Sequence, residues 1–182
     1  LQHFQRSVQF FEKINQNESS AENLKELVQG LHRVGDVHLE MKQPSAAVPQ
    51  FWRATNLATK VEQKLPDPSA GWLLAISVSR MADARVALDD EPAAMTLYQE
   101  CVEHLEKVVR EYPSFAPSLV LDRALSHLFL ADLQLRLEGA AAALDSYQSC
   151  VHYFKELQQA SPSSHNARSL ANAFEKLGFA AH

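Results

Sequence analysis

The chain has 182 residues and a formal net charge of −5 at pH 7, and 46% of its residues are hydrophobic. That hydrophobic content argues against disorder, and the scattered lysines and arginines argue against a nucleic-acid-binding surface. No apolar run reaches the roughly 20 residues of a membrane span. Five glycines, eight prolines and many good helix formers favour an all-α protein.

Nothing in the sequence resembles a signal peptide. The chain starts at Leu1 within a segment that already has a helical pattern. We therefore expect it to be a piece of a longer protein, and we expect a cytoplasmic location.

Helices of two kinds, A and B, are predicted to alternate along the chain. In chain order they are B at 2–17, A at 22–42, B at 45–64, A at 70–89, B at 92–111, A at 117–138, B at 140–160 and A at 165–181. Proline-containing stretches end the last three B helices, because proline cannot continue a helix. Ser19 is expected to cap the helix at 22–42, with Glu22 completing a capping box. Gly139 and Asp90 are expected at the tight turns from A to B.

One motif of helix A recurs with a period of 47–49 residues. The segments LHRVGD, VSRMAD and HLFLAD place Asp36, Asp83 and Asp132 in register. The same step aligns an alanine and an aromatic residue of helix B: Ala47, Ala94 and Ala143, then Phe51, Tyr98 and Tyr147. It also reaches Phe4 at one end and KLGF (176–179) at the other. The sequence therefore predicts a single repeat domain over 1–182, with half-repeats 1–18 and 163–182 and full repeats 19–66, 67–113 and 114–162.

The motif resembles the tetratricopeptide repeat (TPR), and the resemblance covers essentially the whole chain. Three sets of residues carry it: a large residue of helix A (Leu31, Val78, Phe174), the small residue after it (Gly35, Ala82, Ala131, Gly178), and a second small residue of helix B (Ala54, Cys101, Cys150). The period exceeds the roughly 34 residues of the standard repeat, as in long-period bacterial TPR arrays. The resemblance implies a right-handed α-solenoid of seven or eight antiparallel helices, whose A helices line a concave face.

Cys101 and Cys150 fit neither a disulfide framework nor a metal-binding spacing. Because they occupy the same small position of helix B, we expect both to be buried without a disulfide. Trp52 is expected to pack beside Phe51 near the interface of helices A and B.

The aspartates of the motif leave two interpretations open. They either bond to a neighbouring helix A or to Arg33 and Arg80, or they form an acidic groove that receives basic groups of a peptide. The predicted partner-binding residues of the concave face are His32, Asp36, Leu39, Ser79, Asp83, Val86, Leu128, Asp132 and Leu135. Aspartate at positions 36 and 83 disfavours the carboxylate clamp by which some TPRs bind chaperone tails.

No catalytic motif, phosphate-binding loop or metal-ligand set is present, so we expect no enzyme activity, no cofactor and no metal. The first function hypothesis is a protein–protein interaction scaffold that binds a peptide or partner domain. The alternative is a regulatory or sensor segment of a larger signalling enzyme, a kinase or an NTPase. A third possibility, a small-molecule-binding or enzymatic TPR-like domain, would need a closed polar pocket.

The first and last helices lack their repeat partners. Phe10, Phe11, Phe174 and Phe179 are therefore expected to be partly exposed. Either the parent chain continues in both directions, or these edges support self-association through the terminal helices.

Overall fold

The computed structural model describes all 182 residues and contains eight α-helices, one 3₁₀ helix and no strand. The α-helices are α1 (Gln2–Asn17), α2 (Ala21–Glu40), α3 (Pro44–Lys64), α4 (Pro68–Val86), α5 (Glu91–Glu111), α6 (Val120–Leu137), α7 (Ala140–Ala160) and α8 (Ser164–Ala180). The all-α prediction is confirmed, and each predicted helix lies within three residues of its expected ends. No helix combines the length and the apolar character that crossing a membrane requires.

The chain divides into two compact units, Leu1–Leu97 and Tyr98–His182. In the first unit, α1 packs on α2, α2 on α3 and α3 on α4, and the two A helices α2 and α4 also touch. In the second unit, α6 packs on α7 and α7 on α8. Short turns join these helices, so each packed neighbour runs antiparallel, as in an α-solenoid. The division falls inside α5, and the predicted repeat boundaries and the right-handed sense of the array stay predictions.

Local side chains and prolines set the helix ends. Ser20, not Ser19, caps α2 by accepting a hydrogen bond from the amide of Asn23 at 3.1 Å, so the capping prediction is wrong by one residue. Asp67 caps α4 in the same way, with 2.7 Å to the amide of Ala70. The helix expected from residue 117 starts instead at 120, because a 3₁₀ helix over Pro113–Leu119 occupies that stretch.

Each turn from helix A to helix B contains one residue at positive φ. Lys42, Asp89 and Gly139 each adopt positive φ, at 56°, 58° and 97°. In the first two turns the amide of the residue immediately before helix B donates to helix A: Gln43 to the carbonyl of His38, and Asp90 to that of Arg85. This is the hydrogen-bond pattern of a Schellman helix ending, where glycine is the favoured residue. In the third turn the positive-φ residue, Gly139, lies immediately before helix B, one position later than Lys42 and Asp89 do.

The joint between helices A and B depends on a small residue facing an aromatic ring. A Cβ added to Gly35 would stand 2.3 Å from the fully buried ring of Phe51, so no larger residue fits there without a shift. In the second unit Ala131 and Tyr147 occupy the same two positions within one core cluster. The small residue of the motif is therefore a packing requirement of the closest helix approach.

The predicted apolar stripe of the B helices is buried in the paired repeats. Cys101 and Cys150 are buried and neither forms a disulfide, as expected. Burial, and after it the charge of Asp132, raises the pKa of the Cys150 thiol to about 12. Trp52 contradicts its prediction, because its side chain lies on the outer face of α3 and is 62% exposed.

The terminal helices are exposed where the sequence predicts it. Phe10 on α1 and both Phe174 and Phe179 on α8 are exposed, and Phe11 is half-buried. Helix α1 follows the pattern of a B helix, and α8 follows that of an A helix.

Candidate interaction surface

An ion pair between Asp36 and Arg80 joins the A helices α2 and α4. Arg80 lies 44 residues after Asp36, on the neighbouring A helix, whereas Arg33 on the same helix is exposed. Burial raises the pKa of Asp36, and the guanidinium of Arg80 opposes that shift. Asp36 therefore connects two repeats, which agrees with the structural interpretation of the motif aspartates.

The second unit repeats this arrangement with a different cation. Lys176 on α8 donates to both carboxylate oxygens of Asp132 on α6, each at 2.6 Å, and again lies 44 residues along the chain. The hydroxyl of Tyr147 donates to the same carboxylate at 2.7 Å. We call the Asp36–Arg80 and Asp132–Lys176 pairs the A–A braces. Both carboxylates are already neutralised, so they do not form an open acidic groove.

His32 is wrongly placed among the predicted partner-binding residues. Its side chain is buried, and its Nε2 lies 2.9 Å from the Ser77 hydroxyl of α4. Burial, and after it the charge of Arg80, lowers the pKa of His32 to about 3. A buried neutral imidazole with a hydrogen-bond partner is part of the packing between two A helices, and a partner protein cannot reach it.

Three predicted apolar contact residues also belong largely to the interior. Leu39 packs against the core cluster that contains Phe51 and Met81. Leu128 and Leu135 pack against the cluster around Tyr147. All three are half-buried, so they offer a partner only part of their surface.

The remaining predicted residues lie at the surface of α4. Ser79 and Asp83 are half-buried and Val86 is exposed. Only part of the predicted set is therefore accessible to a partner, and the rest stabilises the packing of the A helices.

Sequence reasoning missed three exposed apolar residues, one at or just after the end of each of the A helices α2, α4 and α6. Met41, Leu88 and Leu137 each follow a motif aspartate by five residues, and all three are exposed. We call them the turn row. Their common spacing from the aspartates is visible in the sequence and could have identified them.

A second polar cluster lies in the second unit. The guanidinium of Arg123 donates to both carboxylate oxygens of Glu106, at 2.9 and 2.8 Å, and to the hydroxyl of Tyr153 at 2.5 Å. It also lies over the ring of Tyr153, 4.0 Å from the centroid. Burial, and after it the charge of Glu106, raises the pKa of Tyr153 to about 12. The cluster thus locks α5, α6 and α7 together, and no sequence motif marks it.

A cleft of about 610 Å³ adjoins this cluster. Pro113, Pro117 and Leu157 form apolar parts of its wall, and Arg123 and Glu156 form polar parts. It is open to solvent, and the arginine in its wall is already bonded to Glu106 and Tyr153. The cleft differs from the closed polar pocket that a small-molecule-binding domain would need.

No group of three or more histidine, cysteine, aspartate or glutamate side chains lies close enough together to hold a metal ion. Histidines at helical spacing from an acid, such as His32 and Asp36, are therefore not assembled into a metal site.

No protein-family model matches the chain, and no curated protein matches it. Among solved structures it is similar to the designed helical repeat protein DHR64, at 11% identity and a TM-score of 0.44, over 99% of this chain and 92% of that one. It is also similar to the DHF58 filament, at 14% identity and 0.37 over 98% and 94%, and to the DHF79 filament, at 12% and 0.37 over 96% and 96%. The TPR resemblance stays a prediction, as does the alternative of a regulatory segment of a signalling enzyme.

Proposed function

We propose that this chain is an interaction scaffold that binds a partner protein or peptide on its A helices and has no catalytic chemistry of its own. One observation carries the proposal. Among the paired helices α2 to α7 and their turns, exposed large apolar residues concentrate on the A helices and the A-to-B turns: Met41, Val86, Leu88, Leu121, Phe129 and Leu137. The B helices and their ends have two, Trp52 and Leu65.

These residues are assigned to a binding surface because three of them recur at equivalent positions of the repeat. Single exposed apolar side chains are normal on any protein, but the turn row places one at the same position of three repeats. Within the first unit, Met41 and Leu88 lie at equivalent positions after α2 and α4, two helices that touch, so together they offer a partner two apolar contacts one repeat apart. Because the A–A braces neutralise Asp36 and Asp132, we expect apolar contacts to dominate, with a partner whose apolar side chains recur along its length.

The chemistry of the reactive side chains supports a binding role. The pKa of Cys150 is raised to about 12 by burial and then by Asp132, so its thiol stays protonated and is a poor nucleophile at neutral pH. The pKa of His32 is lowered to about 3, and its imidazole is bonded to Ser77 in the interior. Both side chains serve packing.

Site-specific photo-crosslinking tests the proposal. A photoreactive residue is placed in turn at positions 41, 88 and 137, and at position 52 as a control on the B-helix side. We expect the three turn-row positions to capture the same partner and position 52 to capture none. Capture from position 52 alone, or different species from each turn-row position, would contradict the proposal.

The triple variant Met41→Lys, Leu88→Lys and Leu137→Lys provides the binding control. These side chains are exposed, so the variant keeps the circular dichroism and unfolding transition of the unmodified chain. Its capture of the partner is expected to be lost, whereas Trp52→Lys retains it. Equal capture by both variants would show that the A helices do not form the binding surface.

A further inference from the structure

One connection between a B helix and the next A helix is longer than the others. Eight residues, 112–119, separate α5 from α6, and seven of them form the 3₁₀ helix over Pro113–Leu119. The other three connections have three residues each: 18–20, 65–67 and 161–163. Three residues are thus enough to join the helices, so the connection itself does not require the extra segment. Binding residues are often found on loops held by a rigid scaffold.

The extra segment forms one wall of the cleft of about 610 Å³. Pro113, Pro117 and Val120 line this side, and Leu157 and Ala160 of α7 line the other. Ligand-binding clefts in proteins typically have volumes of about 300–1,000 Å³ and mostly apolar walls with few polar groups. The cleft meets that description, and neither α1 nor α8 contributes a residue to it.

Arg123 lines this cleft with one edge of its guanidinium already fixed. Its Nε and Nη2 donate to the carboxylate of Glu106, and Nη2 also donates to the hydroxyl of Tyr153. The side chain is 12% exposed, and its Nη1 is accessible to solvent and donates to no group of the chain. Because Glu106 already neutralises the guanidinium, a neutral acceptor such as a peptide carbonyl suits Nη1 better than a second carboxylate would.

Glu156 gives the same cleft a carboxylate that accepts no hydrogen bond. Its side chain is 46% exposed, and its ion-pair partner His152, whose Nε2 lies 3.6 Å away, is charged only when protonated. The charge of Glu156 is therefore unpaired whenever His152 is neutral. A lysine or arginine of a ligand would complement this charge, whereas a carboxylate of a ligand would be repelled by it.

We propose that this cleft binds an extended peptide segment in which an apolar residue lies beside a lysine or arginine. The apolar side chain contacts Pro117 and Leu157, a backbone carbonyl of the peptide accepts from Nη1 of Arg123, and the cation pairs with Glu156. The charges of the cleft select this peptide over an acidic one. The cleft contains no residue of the turn row, so this inference does not depend on the proposed function of the A-helix surface.

NMR titration of the ¹⁵N-labelled chain with the acetylated and amidated tripeptide Leu-Lys-Leu tests the proposal. We expect saturable shifts of the backbone amides at 114–123 and 156–160. The tripeptide Leu-Gln-Leu is expected to bind about two- to fivefold more weakly, as for the loss of one exposed ion pair, and Leu-Glu-Leu more weakly still. Absence of shifts in these segments, or equal or tighter binding of Leu-Glu-Leu, would overturn the proposal.

Two tryptophan variants of α7 locate the site. Ala160→Trp places an indole in the cleft from an exposed position, whereas Ala141→Trp places one at an exposed position near the start of the same helix, outside the cleft. Both are expected to keep the circular dichroism of the unmodified chain. Ala160→Trp should lose the Leu-Lys-Leu shifts, and Ala141→Trp and the triple turn-row variant should retain them. Undiminished binding by Ala160→Trp would show that the peptide does not occupy the cleft.

Glu156→Gln tests the ion pair and removes no hydrogen bond of the chain. It should weaken binding of Leu-Lys-Leu about two- to fivefold and leave that of Leu-Gln-Leu unchanged. Glu138→Gln, at an exposed glutamate at the end of α6, is the matched control and should change neither. Equal effects of Glu156→Gln on the two peptides would show that Glu156 does not pair with the lysine.

The Nε–H resonance of Arg123 tests the third contact without breaking the bonds to Glu106 and Tyr153. We expect it to shift together with the amides of the cleft wall on addition of Leu-Lys-Leu, and to stay fixed in Ala160→Trp. The Nε–H resonance of Arg110, an exposed arginine of α5, is the control and should not move. An Arg123 resonance that stays fixed while the wall amides shift would reject the role of its guanidinium as a donor to the peptide.

Discussion

Gly35 and Gly178 occupy the same position of the repeat but have opposite surroundings. The Cβ position of Gly35 lies 2.3 Å from the ring of Phe51, whereas that of Gly178 has no atom within 4 Å. The repeat therefore places a small residue at each joint between helices A and B. Packing requires that small residue only where the ring of a B helix lies against it. Packing thus requires a glycine at position 35, whereas no described atom packs on position 178.

Replacing each glycine by alanine should separate these two cases most clearly. Gly35→Ala forces Phe51 and its neighbours to move, and overpacking of this kind costs about 1–3 kcal/mol. Gly178→Ala meets open space and gains helix propensity, so it should leave stability unchanged or raise it by up to about 1 kcal/mol. Urea unfolding of the two variants at low protein concentration measures the difference. Equal stabilities would show that the joint of the first unit is looser than its geometry indicates.

His32, which is buried, and His127, which is half-buried, extend the comparison to histidines in the two units. Burial lowers the pKa of both, and the charge of Arg80 adds to the effect at His32. A histidine with a lowered pKa in the folded state binds its proton more readily when unfolded. Its stabilising contribution is present above the unfolded pKa of about 6.5 and is lost as the pH falls below it.

Because the pKa of His32 is lowered to about 3, protonation linked to His32 should lower the free energy of unfolding by about 1–2 kcal/mol between pH 7 and pH 5. His32→Gln, which removes the titrating group, is expected to reduce that fall, and His127→Gln is expected to reduce it by less. Unfolding free energies measured at several pH values check this. A pH dependence that neither variant changes would assign the effect to other groups.

The two A–A braces differ in how their aspartates are held. Asp132 accepts hydrogen bonds from both Lys176 and Tyr147, whereas Asp36 is paired with Arg80 against an unfavourable burial that raises its pKa. Asp132→Asn should cost about 1 kcal/mol, the net contribution of a typical intramolecular hydrogen bond, because the partly exposed pair is partly screened by solvent. Asp36→Asn should cost less than half of that, because relief from burying the charge offsets the lost pairing. Thermal unfolding of the two variants measures both costs. A larger loss of stability for Asp36→Asn would show that its ion pair outweighs the cost of burying its charge.

The helices and their pairing could be predicted because apolar spacing and proline positions are local properties of the sequence. The aligned Gly35 and Phe51 also predicted the A–B joint correctly, since a period of 47–49 residues fixes which positions are equivalent. His32 was misplaced because its partner, Ser77, lies 45 residues away, and no local pattern shows that a polar side chain is satisfied there. The Glu106–Arg123–Tyr153 cluster was missed for the same reason, because its members come from three helices.

The A-to-B turns give the smallest expected effects and complete the comparison between the units. Lys42 and Asp89 adopt positive φ without being glycine, whereas the equivalent turn of the second unit has Gly139. Lys42→Gly and Asp89→Gly should each stabilise the chain by about 0.5 kcal/mol, because glycine adopts positive φ without strain and this relief exceeds its extra chain entropy. Gly139→Ala should destabilise it by about 1 kcal/mol, because alanine at φ 97° is strained. Differential scanning calorimetry of the three variants checks the two opposite changes in stability. A loss of stability on Lys42→Gly would show that the lysine side chain contributes more than its backbone strain costs.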